Sequence, residues 1–168
     1  MPKDLNTDLV IAPEAPADAA PAMALVERAF GPGRYAKSAE RLREGNHFVP
    51  DLSFVARESG RLVATVRLWP VRVGGAEALL LGPIAVDTAA RRRGLGATLA
   101  ARACEAAAEA GHARVVLVGD LGFFERIGFE ALEPGRIRMP GPADPRRVLV
   151  RALTPGAWEG VQGEVTLP

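Results

Sequence analysis

Three consecutive arginines, Arg91, Arg92 and Arg93, run directly into Gly94-Leu95-Gly96 and then into an alanine-rich stretch beginning Ala97-Thr98. Residues of these types in this order can hold an anion. The first turn of a helix has backbone N–H groups without intrahelical acceptors and carries a partial positive charge. Glycines let a phosphate approach that backbone, and guanidinium groups add full charges in a bidentate geometry. The expected ligand bears a phosphate, most simply a pyrophosphate, seated just before Gly96. Two other phosphate loops fail on residues. The nucleotide P-loop requires Gly-Lys-Ser/Thr, whereas Gly96 is followed by Ala97-Thr98. The dinucleotide fingerprint requires a third small residue where this chain has Leu99.

The elements that must position this loop can be read on either side of it. Residues 79–86 form a buried strand, and Pro83 within it marks a local break, because proline cannot donate to a ladder. The loop opens a helix over 94–110, closed by Gly111, and a strand follows over 114–118. A strand, a helix and a strand in succession make a crossover, so the two strands should be parallel. Upstream, a strand over 9–11 and a loop over 12–21 lead to a helix with Asp18 as N-cap. Its apolar stripe is Met23, Leu25, Val26, Ala29 and Phe30, and Gly31 stops it. A second short helix covers 38–44. Strands over 53–57 and 62–68 flank the hairpin signal Ser59-Gly60. A second signal, Gly74-Gly75, joins a strand over 71–73 to the one ending at Val86. Past the crossover come a short helix over 121–127, ended by Gly128, and strands over 129–139 and 146–153.

The bulk properties bound the function. The chain has 168 residues, the length of one domain, with 48% hydrophobic and 24% charged residues. A formal net charge of +1 does not supply the concentrated basic face of a nucleic-acid binder. The single cysteine, Cys104, excludes an internal disulfide and reads as a small buried thiol, since no histidine lies at helical spacing from it. The amino-terminal residues lack a secretory apolar core, and no apolar run reaches the length of a membrane span. The expected setting is the cytoplasm, with residues 1–8 frayed and 153–168 a C-terminal extension of a single domain.

The motif Arg91-x-x-Gly94-x-Gly96, preceded by Ile84-Ala85-Val86-Asp87 and followed by Phe123-Phe124-Glu125-Arg126-Ile127-Gly128-Phe129, resembles the signatures of the GCN5-related N-acetyltransferases (GNAT). The tail Leu153-Thr154-Pro155-Gly156-Ala157-Trp158 is similar to a bacterial branch whose substrates are mostly unassigned. The resemblance implies an α/β (α+β) fold: a mixed, mostly antiparallel central sheet flanked by helices, with a splayed parallel strand pair that takes the arm of CoA. It implies acetyl-CoA as cosubstrate, a small-molecule or peptide amine as acceptor, no metal, and direct attack in a ternary complex. It further implies cofactor contacts from Ile84, Ala85, Val86, Arg91, Arg92, Arg93, Gly94, Leu95, Gly96, Ala97, Thr98, Phe123 and Phe124. No membrane or nucleic-acid partner is expected, and the protein is read as a monomer or homodimer.

Where many relatives carry a tyrosine that reprotonates the leaving thiolate, this chain has Phe124. A phenyl ring has no proton to give, so an acyl-CoA sensor without transferase activity stands as the alternative. An attacking ammonium must also lose a proton, directly or through water. Glu77, on the strand leading to the slot, and His47, in the region where acceptors usually sit with Glu44 and Asp51, are the candidate catalytic bases. Asp120 is a further possibility, although its position also suits an N-cap.

Overall fold

Two glycine-containing turns set the sheet. Ser59 (φ 49°) and Gly60 (φ 80°) take the positive φ values that a two-residue hairpin requires. They join β2 (Phe54–Glu58) to β3 (Arg61–Val73). Gly74 (φ 54°) and Gly75 (φ 87°) repeat the device between β3 and β4 (Ala76–Val86). A Cβ at Gly74 would stand 1.8 Å from the carbonyl oxygen of Gln162, so no other residue fits there. The computed structural model describes residues 8–31, 38–90 and 94–168.

The remaining strands extend this meander. β1 (Leu9–Pro13) pairs antiparallel with β2, and α2 (Leu95–Glu109) carries the chain from β4 across to β5 (Arg114–Val118), which lies parallel to β4. β8 (Val148–Ala152) pairs antiparallel with β5, and β6 (Glu130–Ala131) with β8. The order is therefore β1-β2-β3-β4-β5-β8-β6, mixed and mostly antiparallel, as the motifs implied. Helix α2 covers one face through Leu95, Leu99, Ala100, Ala103, Cys104 and Ala107, which pack with Leu68, Leu79 and Leu117. On the other face α1 (Ala19–Phe30) sets Ala22, Leu25 and Val26 against Val55, Leu62 and Ala85.

Several elements depart from the sequence reading. β3 is one strand, not two pieces. Pro70 fits within it because the backbone edge it shares with its own carbonyl faces a stretch without a ladder strand. There the Pro70 carbonyl accepts from Asn46 Nδ2 at 2.7 Å. Residues 129–139 are not one strand: β6 and β7 (Ile137–Arg138) are separate and pair with different partners. The segment 163–166, read as tail, is β9 (Gly163–Thr166). It pairs antiparallel with Arg72 and Val73 of β3 and parallel with β7. Trp158, in the same tail, is buried and donates its indole N–H to the Arg151 carbonyl at 3.0 Å. Finally, the short helix after Gly31 is a 3-10 helix, Ser38–Leu42, and the one after Asp120 is a single α turn, α3 (Leu121–Phe124), continued by the 3-10 turn Glu125–Ile127.

The edge of β3 is covered along its length. β2 pairs with it up to Val66, the Leu68 carbonyl accepts from Val49 N (2.8 Å), and the Leu68 N–H donates to Ser53 Oγ (3.1 Å). Asn46 then takes Pro70, and β9 takes Arg72 and Val73. An exposed edge is an aggregation template, and here side chains and loops satisfy the gap between two strands.

Candidate active site

The site begins where β4 leaves β5. The two strands pair only at Leu79–Val115 and Leu80–Val116, yet β4 runs on to Val86 and β5 to Val118. β5 is held instead by β8 over its whole length. On its other side β4 bulges. Ile84 faces Val66 and Leu81 faces Leu68, so Gly82 and Pro83 both stand opposite Arg67. Gly82 has φ 131° and its peptide bond to Pro83 is cis. The Gly82 carbonyl accepts from Trp69 Nε1 at 2.6 Å. The break expected at Pro83 is therefore this bulge. It turns the end of β4 away from β5 and opens a cavity of about 380 Å³ between residues 81–84 and 118–120.

Helix α2 points its N-terminus at that opening. Gly94 is its N-cap, in the left-handed conformation (φ 75°, ψ 13°), and its carbonyl accepts from Thr98 N at 2.8 Å. The N–H groups of Leu95, Gly96 and Ala97 come before the first intrahelical bond and so face outward. Gly96 is buried, and a Cβ on it would lie 3.4 Å from Ile84 Cγ2 and 3.5 Å from Val86 Cγ2. The absent side chain thus brings the helix N-terminus onto the end of β4. Ile84 and Val86 are half-buried beneath it, while Ala85 turns to the α1 face. Thr98 is exposed and Ala97 half-buried. Arg91, Arg92 and Arg93, expected to complete the cradle, lie outside the described residues. The geometry that remains, a helix N-terminus and a strand edge without partners among the described residues, fits a ligand with a phosphate group and a peptide-like arm.

Phe123 and Phe124 close the second side. Phe123 is 39% exposed, and its Cζ would lie 4.0 Å from a Cβ on Gly96. Phe124 is half-buried, lines the cavity and makes edge contacts with Phe123 (4.8 Å) and Phe129 (5.8 Å). Its ring covers Gly119, where a Cβ would stand 2.4 Å from Phe124 Cε2. Gly119 was missed from the sequence; its only signal is a glycine directly after a buried strand.

The proposed bases are not brought to the opening. Glu77 is 87% exposed at the Gly74-Gly75 end of β4, 4.0 Å from Arg72, far along the strand from Ile84. His47 is exposed on the segment covering β3, and its backbone N–H donates to Asn46 Oδ1 at 2.8 Å. Neither lines the cavity. Asp120 does. It occupies the N-cap position of α3, but its carboxylate makes no capping hydrogen bond. The residues the sequence did not flag are Arg43, Asp144 and Arg147, which also line the cavity. Arg43 is joined to Glu40 at 3.1 Å. Asp144 accepts from Arg146 through both oxygens (Nε 3.2 Å, Nη2 3.2 Å) and from the Arg146 backbone (3.0 Å). That charge-assisted contact lowers the Asp144 pKa.

Two further polar groups are structural. Glu14 and Arg67 form a buried bidentate pair (3.0 and 2.9 Å) with the guanidinium over the Phe48 ring. Burial pushes the Cys104 thiol up to about 11, so it stays protonated at neutral pH and is no nucleophile, as its surroundings suggested.

Comparison with known proteins supports the geometry. A family model described as Acetyltransferase (GNAT) family matches residues 20–129. The chain is 32% identical over 160 residues to the Escherichia coli (strain K12) protein named Uncharacterized N-acetyltransferase YhbS, covering 94% of this chain and 95% of that one. The crystal structure of that Escherichia coli protein in complex with CoA superposes with a TM-score of 0.81 at 30% identity, over 96% of this chain and 90% of that one. A GNAT family acetyltransferase from Brucella melitensis, in complex with acetyl-CoA, superposes with a TM-score of 0.70 at 30% identity, over 95% and 96% of the two chains. The opening between β4 and β5 and the family match agree: this chain belongs to the GNAT family of acetyltransferases.

Proposed function

We propose that this protein transfers an acetyl group from acetyl-CoA to a primary amine, by direct attack in a ternary complex. The observation that carries the reading is the meeting of the α2 N-terminus with the free end of β4 across Gly96 and Ile84. The N–H groups of Leu95, Gly96 and Ala97 would hold the pyrophosphate, and the unpaired edge of β4 beyond Leu81 would bond the pantetheine arm. When bound, acetyl-CoA supplies the activated acyl group. A β4 backbone N–H facing the opening would polarise the thioester carbonyl, and the cavity walls would orient the amine and restrict water. Phe124 offers no proton to the thiolate, which would leave unassisted or take its proton from the attacking ammonium or water.

Phe124 also favours the second reading, an acyl-CoA sensor that binds without turnover. The experiment that separates them is acetyl-CoA-dependent release of free thiol across an amine panel, run beside thermal stabilisation by acetyl-CoA. Release with any amine supports the transferase. Stabilisation without release from the whole panel supports the sensor, and absence of both sinks each.

A further inference from the structure

Among the described residues, the charged side chains that line the cavity form pairs except for two. Arg43 is matched by Glu40. Asp144 is matched by Arg146, which occupies both its oxygens. What remains is the Arg147 guanidinium and the Asp120 carboxylate. Neither side chain makes a hydrogen bond or ion pair among the described residues, and both line the same cavity. Arg147 does act at longer range, helping to lower the Asp144 pKa after the nearer Arg146.

The backbone fixes where these two groups sit. The Gly119 N–H donates to the Arg147 carbonyl at 2.9 Å, so the turn before β8 is tied to the residue next to Asp120. The turn is itself held by the Arg147 N–H donating to the Asp144 carbonyl at 2.9 Å. One cationic and one anionic side chain are thereby attached to two adjoining, bonded segments at the end of β5. Between them and β4 the walls are apolar: Val26, Leu81, Pro83, Ile84, Val118 and Phe124.

We infer that the acceptor is a small zwitterionic amine with an apolar body, of amino-acid type. Its carboxylate is held by Arg147, and its ammonium lies on the Asp120 side, within reach of the thioester. The inference rests on the transferase reading of the same cavity. Arg147 and Asp120 are both exposed at the cavity rim, and a guanidinium there still pairs with a carboxylate through two parallel charge-assisted hydrogen bonds that a neutral carboxamide does not reproduce. A peptide N-terminus or a lysine side chain lacks the carboxylate that Arg147 would bind. In the reaction the amine nitrogen forms the C–N bond as the C–S bond breaks. One proton leaves the ammonium before attack, toward Asp120 or water, and a second leaves the nitrogen afterwards for the thiolate or water.

The test compares each acid with its own amide. Leucine, phenylalanine, 4-aminobutyrate and 6-aminohexanoate, and the four matching carboxamides, are assayed with saturating acetyl-CoA by thiol release. At least one acid is expected to exceed its carboxamide at least 10-fold in kcat/KM. Arg147→Gln should bring that ratio toward one, and Arg147→Lys should keep part of it. The acetyl-CoA affinity of both variants, measured by calorimetry, should match the parent. A parent ratio near one for all four pairs overturns the inference, and so does a ratio that Arg147→Gln leaves intact. If the parent binds acetyl-CoA but turns over nothing, the transferase reading fails separately. The eight compounds are then titrated calorimetrically into the CoA-saturated protein, and equal or absent binding of acids and amides overturns the pocket assignment.

Discussion

The indole N–H of Trp69 donates to the carbonyl of Gly82 at 2.6 Å, at the point where β4 parts from β5. Trp69 is 7% exposed, so this bond satisfies a sheltered carbonyl that the bulge has removed from the ladder. Trp69→Phe keeps most of the apolar volume and removes the donor. A buried acceptor left without a partner costs about 1–3 kcal/mol. The expected outcome is a urea midpoint lowered accordingly with an unchanged m-value, together with a raised KM for acetyl-CoA. An unaltered midpoint would show that the bulge holds its shape without Trp69.

The helix N-terminus makes a second prediction. Gly94 has φ 75°, a conformation aspartate tolerates better than most residues, and among the described residues nothing lies within 4 Å of its missing Cβ. Gly94→Asp should therefore fold while placing a negative charge against the pyrophosphate. Acetyl-CoA binding should weaken at least 10-fold, about 1.4 kcal/mol. Gly96→Val fails differently, because its added carbons meet Ile84 and Val86. It should lower thermal stability as well as affinity, by about 1–3 kcal/mol of overpacking. Equal acetyl-CoA affinity in Gly94→Asp and the parent would remove the anion cradle from the account.

The parts legible in the sequence are those encoded locally. Ser59-Gly60 and Gly74-Gly75 mark the two hairpins because all four residues take positive φ values. The order strand, arginines, glycines, helix located the β4–α2 junction because each step has its own residue chemistry. β9 was not legible. Gly163-Glu164-Val165-Thr166 has one buried apolar residue, Val165, and owes its strand geometry to the edge of β3 that β2 leaves uncovered. Arg147, and its meeting with Asp120, were equally hidden. Arg147 and Asp120 are 27 positions apart in the sequence, and only the pairing of β5 with β8 brings their segments together. Residue type and position along the chain point to Glu77 and His47. The direction of β4 and the covering of β3 put both outside the cavity.

That placement is itself testable. Glu77→Gln and His47→Ala should each leave kcat and KM within about twofold of the parent, because surface substitutions remote from a site change stability by no more than ~0.5 kcal/mol. Steady-state thiol release decides it. A drop of 100-fold in either variant would mean that the side chain reaches the reacting amine.

Acid stability should depend on Asp18. Its carboxylate accepts from the Arg57 guanidinium and from the Ala15 N–H (2.8 Å), and the Arg57 bond is the main reason its pKa lies below the usual value. A carboxylate with a depressed folded pKa stabilises fully above its unfolded pKa of about 3.9. That contribution is lost as pH falls through the lower folded value. Asp18→Asn should thus cost about 1–2 kcal/mol at pH 7, Arg57 being partly solvent-screened. The gap from the parent should narrow as pH drops below about 4. Urea unfolding of both proteins at pH 7 and pH 3 measures it, and a gap that does not change with pH would assign the loss to packing.

Phe124 bears on whether the protein turns over at all. Its ring covers Gly119, touches Phe123 and Phe129 and lines the cavity, so it is packing as well as wall. Phe124→Ala should lower stability and acetyl-CoA affinity together, by about 1–3 kcal/mol for lost burial. Phe124→Tyr adds one hydroxyl to a ring that is only half-buried and should fold normally. If thiolate protonation does not limit the parent, kcat should change by less than about fivefold, which is about 1 kcal/mol of barrier. A solvent-pH profile of kcat for the two proteins checks whether a new ionisation has entered. The decisive result would be a parent that binds acetyl-CoA but is silent with every amine while Phe124→Tyr acetylates one. The ring would then mark a site that lost its acid and kept its ligand, and the sensor reading would replace the transferase.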